Sequence, residues 1–461
     1  METWIGKLFA LALPVWLAGC AAVYNLPSNI PLGDALADSR FGREVPNFDD
    51  DVLLALSFSG GGMRAAAFSF GVLTELDHAR VGSNSKAKSL LDRVDFVSGV
   101  SGGAVTAAYF GLKKRAALDD FRERFLLRNA EEGLSTRVSF GNIARAFGGG
   151  VNDSQFTNWL DPNLFEGARF DALREDRPPR VWINASDIYN RTPFVFGRTS
   201  FDALCSDIRS YRVAEAVAAS AAVPLAFAPI VLETFPGGCS AQSPPLLERA
   251  RHDPRAQPLL RSFAEANARY RDGSMRFVKL LDGGLVDNLG LSGFSIALMA
   301  AQRPYEPMSE QQAVKVRRIM VLVVDAGRGA SGDFTQQIEG PSGTQLVAAV
   351  ASTAIDASVR LSYAAFSSQL NEWTSKVRRW RCSLSATERS RLGVGVNWRC
   401  GDLVLYIDRL GFDRLGPARA GVLDSIPTRF VLPPDQIDLL TQSGADALRE
   451  SPAYRAFRSG S

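Results

Sequence analysis

Three times along this chain an apolar, strand-like run ends in glycines and gives way to a helix-like stretch. Residues 52–58 run into Ser59-Gly60-Gly61-Gly62, residues 94–98 into Gly99-Val100-Ser101-Gly102-Gly103, and residues 276–281 into Asp282-Gly283-Gly284. Glycine at such a junction lets the backbone turn without a Cβ clash, so each run predicts a strand whose carboxyl end meets a tight turn. Further strand-like runs at 180–185, 319–324 and 403–407 alternate with helical patterns at 62–78, 103–125 and 344–377. The alternation predicts an α/β fold, a sheet flanked by helices, with the glycine turns gathering side chains at one sheet edge.

Each turn carries its own chemistry. Gly99-x-Ser101-x-Gly103 is the pattern of a nucleophile elbow, and its weight comes from the strand before it and the helix after it. The loop from Ser59 through Gly60, Gly61 and Gly62 to Arg64 can aim N–H groups at an anion, as a phosphate cradle or an oxyanion hole. A Walker A loop is excluded because no Gly-Lys-Ser/Thr follows. Gly60, Gly62 and Ala65 fit G-x-G-x-x-A, but a dinucleotide site needs an acidic residue closing the next strand, and 94–98 leads to Ser101 instead.

A serine nucleophile needs a base. The chain has two histidines, His78 and His252, and neither follows Asp282, as the order serine, acid, histidine would require. His78 falls inside a helical pattern and His252 between Arg251 and Asp253, so both read as surface residues. Elimination leaves a carboxylate acting directly on Ser101, with Asp282 in that role. Lys and Arg number 52 against 49 Asp and Glu, interleaved along the chain, which gives no basic footprint for nucleic acid. No cofactor is implied, and no C-x-x-C spacing with a nearby histidine indicates a metal.

Taken together, the glycine loop with Arg64, the Gly99 to Gly103 serine turn and the Asp282-Gly283-Gly284 turn, in that order, resemble the patatin-like phospholipase family. Asn184-Ala185-Ser186-Asp187, with Pro193 to Phe196 beyond, and Ala219-Ser220-Ala221-Ala222-Val223-Pro224 extend the likeness, which covers residues 54–290. The resemblance implies a three-layer α/β/α fold with a mostly parallel sheet and a C-terminal helical extension. It also implies a Ser101–Asp282 dyad that hydrolyses lipid acyl esters without metal, as a phospholipase A or lysophospholipase, with membrane lipid as substrate. Gly60, Gly61 and Gly62 would hold the oxyanion, and Arg64 would either face a phosphate or anchor the loop to backbone carbonyls. Ala65 stands where a final glycine is frequent, and Gly290 where a proline is common. Two other uses of the same fold stay open: a non-catalytic lipid-binding or scaffold lipoprotein, and an acyltransferase or thioesterase.

The N-terminus reads as an address. Lys7 precedes an apolar run at 8–17, too short for a membrane span, and Leu17-Ala18-Gly19-Cys20 resembles a bacterial lipoprotein signal in which Cys20 becomes the lipidated N-terminus. Ala21 after it resembles the outer-membrane sorting class, so the expected location is the outer membrane facing the periplasm, or the cell surface. The resulting division is a signal peptide at 1–19, a Pro-containing tether at 20–50, a catalytic core at 51–300 and a C-terminal part at 301–461 completing the same body. Residues 236–270 read as an excursion or lid.

The remaining cysteines suit an oxidising compartment, and loop closure favours pairing neighbours, Cys205 with Cys239 and Cys382 with Cys400. Around that second pair, Trp373, Lys376, Arg378, Arg379, Trp380, Arg381 and Trp398 have a composition suited either to an anionic lipid surface or to a solvated helix end. No protein partner is indicated.

Overall fold

Every residue of β1 (Val52–Phe58) is buried, so this strand lies inside a sheet covered on both faces. The computed structural model describes residues 23–33, 51–81, 88–135, 149–173, 178–240, 243–328 and 343–460, with residues 142, 145 and 338 besides. Cys20 and the signal-like segment lie outside the described residues. Beyond β1 the main sheet contains β2 (Val94–Val100), β3 (Arg180–Asp187), β4 (Thr192–Phe196), β5 (Ile230–Glu233), β6 (Phe277–Asp282), β7 (Arg318–Asp325) and β8 (Val404–Gly411). Its order is β8-β7-β1-β2-β3-β6-β5, with β4 also paired to β3. Pairings from β8 to β3 are parallel, and those of β3 with β4, β3 with β6 and β6 with β5 are antiparallel.

The alternation of side chains along β1 divides the core. Val52, Leu54, Leu56 and Phe58 face a cluster built with α1 (Gly62–His78), α2 (Gly102–Lys113), α3 (Val213–Ser220) and a helix near the C-terminus, Pro434–Glu450. Leu53 and Ala55, with Ile319, Val321 and Val323 of β7, face Phe366, Leu370, Trp373 and Val377 of the long helix Gly343–Ser383. Helices therefore cover both faces, giving the α/β/α sandwich that the sequence resemblance implies. The C-terminal part enters the same body: β7 and β8 extend the sheet beyond β1, and Arg449 of the Pro434–Glu450 helix donates to Glu75 of α1 at 2.8 Å.

Several expectations change. The helical pattern at 103–125 is broken, because α2 stops where Lys114 takes φ +53° and a tighter turn follows before Ala117–Phe121. β4 and β5 escaped the sequence reading, the one for its proline, the other for having four residues between Pro229 and Pro236. The 236–270 excursion folds as two helices, Pro245–His252 and Pro258–Arg271. It is fastened by a Cys205–Cys239 disulfide and by the buried Tyr270 hydroxyl, which donates to Asp187 at 2.6 Å.

Residues 23–33, read from sequence as tether, lie hydrogen-bonded along the body. The Asn25 amide donates to the carbonyls of Ala228 and Pro229, Asn29 exchanges two bonds with the Glu233 backbone, and Leu32 N–H donates to Cys205. Prolines had hidden this, since the segment is fixed by side-chain amides and not by a periodic apolar face.

The basic and aromatic group near the second disulfide, Cys382–Cys400, divides: Lys376 and Arg379 stay exposed on the long helix, while its aromatic members and Arg381 are engaged with the body. Arg381 is fully buried and donates to the Val316 carbonyl at 2.7 Å, Trp373 donates to Glu306, Trp398 donates to Val314, and Trp380 packs on Tyr305. Their indole and guanidinium groups turn inward, where backbone carbonyls satisfy them.

Candidate active site

The sheet register explains why Ser101 and Asp282 meet. Asn184 of β3 pairs with Val100 on one side and Val195 on the other, and the next residue, Ala185, pairs with Asp282 and Phe194. Since β4 occupies one edge of β3 from Ile183 to Asp187, β2 and β6 share the other edge and abut end to end. Ser101 is the first residue past the end of β2, and Asp282 is the last residue of β6.

Ser101 sits at φ +51°, ψ −123°, a conformation that non-glycine residues rarely adopt, and is 4% exposed. Strain of this kind is held only where the surroundings fix it. Here the Ser101 N–H donates to the Ser220 hydroxyl at 2.8 Å, and Ser220 in turn donates to the Asn184 carbonyl at 2.6 Å. The Asn184 amide donates to the Gly99 carbonyl and to Ser98, so three neighbouring elements grip the turn. Close packing completes it: a β-carbon on Gly102 would fall 1.8 Å from the Gly62 carbonyl oxygen, so only glycine allows the serine turn and the glycine loop to touch. Gly103 packs against the backbone of Phe58 and Ser59 in the same way.

Asp282 is held from the same support. Its N–H donates to Ala222 at 2.9 Å, and Gly283 N–H donates to the carbonyl of Ser220 at 3.1 Å. Burial pushes the Asp282 carboxyl up to about 6; the Gly284 N–H, donating at 2.8 Å, and then the Ser101 hydroxyl favour its charged form and pull the other way. At neutral pH it is a carboxylate of raised basicity beside a serine hydroxyl.

The glycine loop narrows the expected set of anion donors. Gly60 N–H is engaged with the Asn288 carbonyl at 3.0 Å, whereas, among the described residues, the N–H groups of Gly61 and Gly62 donate to no protein acceptor. Gly102, which opens α2 directly after the serine, is in the same position. Arg64 does not point at an anion. Its Nε donates to Ala326 at 3.0 Å and its Nη1 to Ile426 at 2.8 Å, while burial, and after it Arg328, lower its pKa to about 10. It stays charged at neutral pH and anchors the loop to the carbonyl-rich ends of two later segments.

Ser220 and Asn288 are the supports that sequence reasoning did not single out. Asn288 holds Gly60 by its carbonyl, and its side-chain oxygen would lie 2.4 Å from a β-carbon there. The segment after it is drawn down on the sheet, with Ser57 donating to Leu289 and Ser98 to Gly290 at 2.7 Å. Gly290 takes φ +68°, which proline cannot adopt, so the departure from the proline common at this place has a local cause. His78 and His252 are exposed at helix ends. Among the described residues no three His, Cys, Asp or Glu side chains gather as a metal site.

A serine in a strained strand-to-helix turn, a neighbouring carboxylate and a loop of unengaged N–H groups on an α/β/α sandwich define a protein of the serine-hydrolase pattern. The sequence profile described as patatin-like phospholipase matches residues 56–294, more than half of the chain, and the chain belongs to that family. None of the curated proteins compared with it matches. Among solved structures, VipD from Legionella pneumophila aligns at 13% identity and a TM-score of 0.34, covering 87% of this chain and 66% of that one. Human GIVD cytosolic phospholipase A2 aligns at 12% identity and a TM-score of 0.41, covering 89% and 60%. The chain thus spans only part of either.

Proposed function

We propose that this protein is a serine lipid acyl hydrolase of phospholipase A or lysophospholipase type, using Ser101 and Asp282 as a dyad. The observation that carries the reading is the end-to-end meeting of β2 and β6, which sets a carboxyl of raised pKa beside the strained serine. Ser101 Oγ attacks the ester carbonyl as its proton passes to Asp282, and the tetrahedral oxyanion is held by N–H groups of Gly61 and Gly62. Collapse returns the proton to the leaving alcohol and leaves an acyl group on Ser101. Water then attacks the acyl-enzyme, gives its proton to Asp282, and releases the fatty acid as Ser101 recovers its own.

The anchor belongs to the same proposal. Among the described residues no helix is long and apolar enough to cross a membrane, and a lipid on Cys20 would hold the enzyme at the outer membrane, facing the periplasm or the cell surface. The decisive experiment labels the folded protein with a fluorophosphonate and maps the adduct. An adduct on Ser101 that is absent in Ser101→Ala and lost in Asp282→Asn is expected; a folded protein that takes no label at Ser101 sinks the reading in favour of a non-catalytic lipoprotein. Added lysolipid that outcompetes water as acyl acceptor would reassign the chemistry to transfer.

A further inference from the structure

The fixed position of residues 23–33 has a consequence for how the enzyme meets its substrate. Cys20 precedes Val23 by three residues, a reach of at most about 11 Å. Val23 is no longer on a free tether: its carbonyl lies 3.3 Å from where a β-carbon of Gly149 would be, and Asn25, Asn29 and Leu32 bond to the body. A lipid on Cys20 therefore brings the bilayer surface against one defined edge of the protein.

That edge is largely apolar and leads to the catalytic turn, with Glu215, which accepts from Ser28, and Glu233, whose backbone bonds Asn29, at its borders. Neither residues 23–33 nor residues 216–232 contain a charged side chain. The two stretches are joined where the Asn25 amide bonds to Ala228 and Pro229. The second stretch begins at the dyad, since Ser220 and Ala222 accept the N–H groups of Gly283 and Asp282. Between those ends five apolar side chains face outward while their neighbours pack into the core: Tyr24 is 71% exposed, Leu26 77%, Ile30 50%, Val223 42% and Leu225 49%. Isolated exposed apolar residues are ordinary on a protein surface. A set placed within reach of a lipid anchor and continuous with the nucleophile's support is not.

We infer that Tyr24, Leu26, Ile30, Val223 and Leu225 form a bilayer-docking face that seats the Ser101 site against the membrane in which the anchor is held. The inference rests on the lipid-anchor reading of Cys20, and its occupant is the lipid surface because the short reach from Cys20 to Val23 keeps the neighbouring Tyr24 and Leu26 at the bilayer. The dyad then draws acyl chains from the same membrane that holds the anchor.

The test uses the full chain in phosphatidylcholine vesicles that contain a nitroxide-labelled lipid, with a bimane fluorophore on Val223→Cys or, as a control, on Val404→Cys at the amino end of β8. Quenching at position 223 at least about threefold above that at 404 is expected. Equal quenching, or a Val223→Cys label that is unquenched by lipid yet shielded from aqueous iodide, overturns the inference, the latter assigning the face to a protein or a second copy. A Tyr24→Asp, Leu26→Asp double variant should lose at least about fivefold of its activity on vesicle phospholipid while hydrolysing a soluble short-chain ester at the parental rate. Unchanged vesicle activity would count against docking. A parent protein that turns over neither substrate would instead remove the hydrolase reading and leave the quenching result standing.

Discussion

The N–H of Ser101 ends on the hydroxyl of Ser220 at 2.8 Å, and the carbonyl of the same Ser220 accepts the N–H of Gly283, the residue after Asp282. One fully buried residue thus sets the spacing between the nucleophile's turn and the carboxylate's turn. Ser220→Ala keeps the second bond and removes the first, leaving a buried N–H unpaired at a cost of about 1–3 kcal/mol. The expected result is a fall of roughly tenfold or more in kcat, with KM little changed, because Ser220 is fully buried behind the turn. Ser220→Thr restores the hydroxyl and should recover part of the loss. A parallel loss in Ser220→Thr, or a rise in KM alone, would show that the hydroxyl is not what matters.

Burial raises the Asp282 carboxyl from its ordinary 3.8 to about 6. In the proposed dyad only the charged form accepts the serine proton, so kcat/KM on a soluble ester should climb with pH through about 6 and level off above it. Stability runs the other way. Between the two values the folded protein keeps a proton that the unfolded chain has lost, so this group's contribution falls as pH rises through that window. Asp282→Asn is therefore expected to abolish turnover and to raise Tm at pH 7, while at pH 3 the two proteins should differ little. A variant less stable at pH 7 would show that the charged carboxylate is structurally required.

Gly290 tests whether the chain's departure from its family is a local necessity. At φ +68° a proline ring cannot be placed, and even an alanine β-carbon would meet Ser98 Oγ at 3.0 Å and Ser57 Oγ at 3.1 Å. Gly290→Pro, although it restores a residue common in the family, should lower Tm and loosen Asn288 from Gly60. Calorimetry together with fluorophosphonate labelling rates would register both effects. An unchanged Tm would mean that the loop has a second conformation of equal stability.

How far the site could be read from sequence follows from how local each signal is. Ser101, Asp282 and the loop from Gly60 to Gly62 announce themselves because a strand, a glycine turn and a helix are contiguous along the chain. The meeting of Ser101 with Asp282 depends on β2 and β6 sharing one edge of β3, a register relation between residues far apart in sequence. Ser220 lies in a stretch that carries the family likeness, but nothing in an alanine-rich helix end marks its hydroxyl as the partner of Ser101, and Gly60 became a structural donor only through Asn288. Arg381 and Trp373 carry the residue types of a membrane surface. Their burial depends on carbonyls of Val316 and Glu306 that no periodicity reveals.

The two disulfides should separate stability from function, because they lie at opposite ends of the sheet. The catalytic turns follow the carboxyl ends of β1 and β2, whereas the Cys382–Cys400 loop packs, through Arg381 and Trp398, on Val316 and Val314 just before β7 begins. Opening that 18-residue loop should cost about 3 kcal/mol in the chain-entropy account. The Cys382→Ser, Cys400→Ser double variant is therefore expected to melt several degrees lower while keeping its kcat on a soluble ester below the transition. Cys205 borders the other end: its carbonyl accepts Leu32 N–H of the anchored segment, and its disulfide to Cys239 ties down the 236–270 helices. Cys205→Ser, Cys239→Ser should accordingly reduce vesicle hydrolysis more than soluble-ester hydrolysis, since it frees the segment that carries part of the proposed docking face. Equal losses on both substrates from either pair would mean that the two ends of the sheet are mechanically coupled and that docking and catalysis cannot be separated in this way.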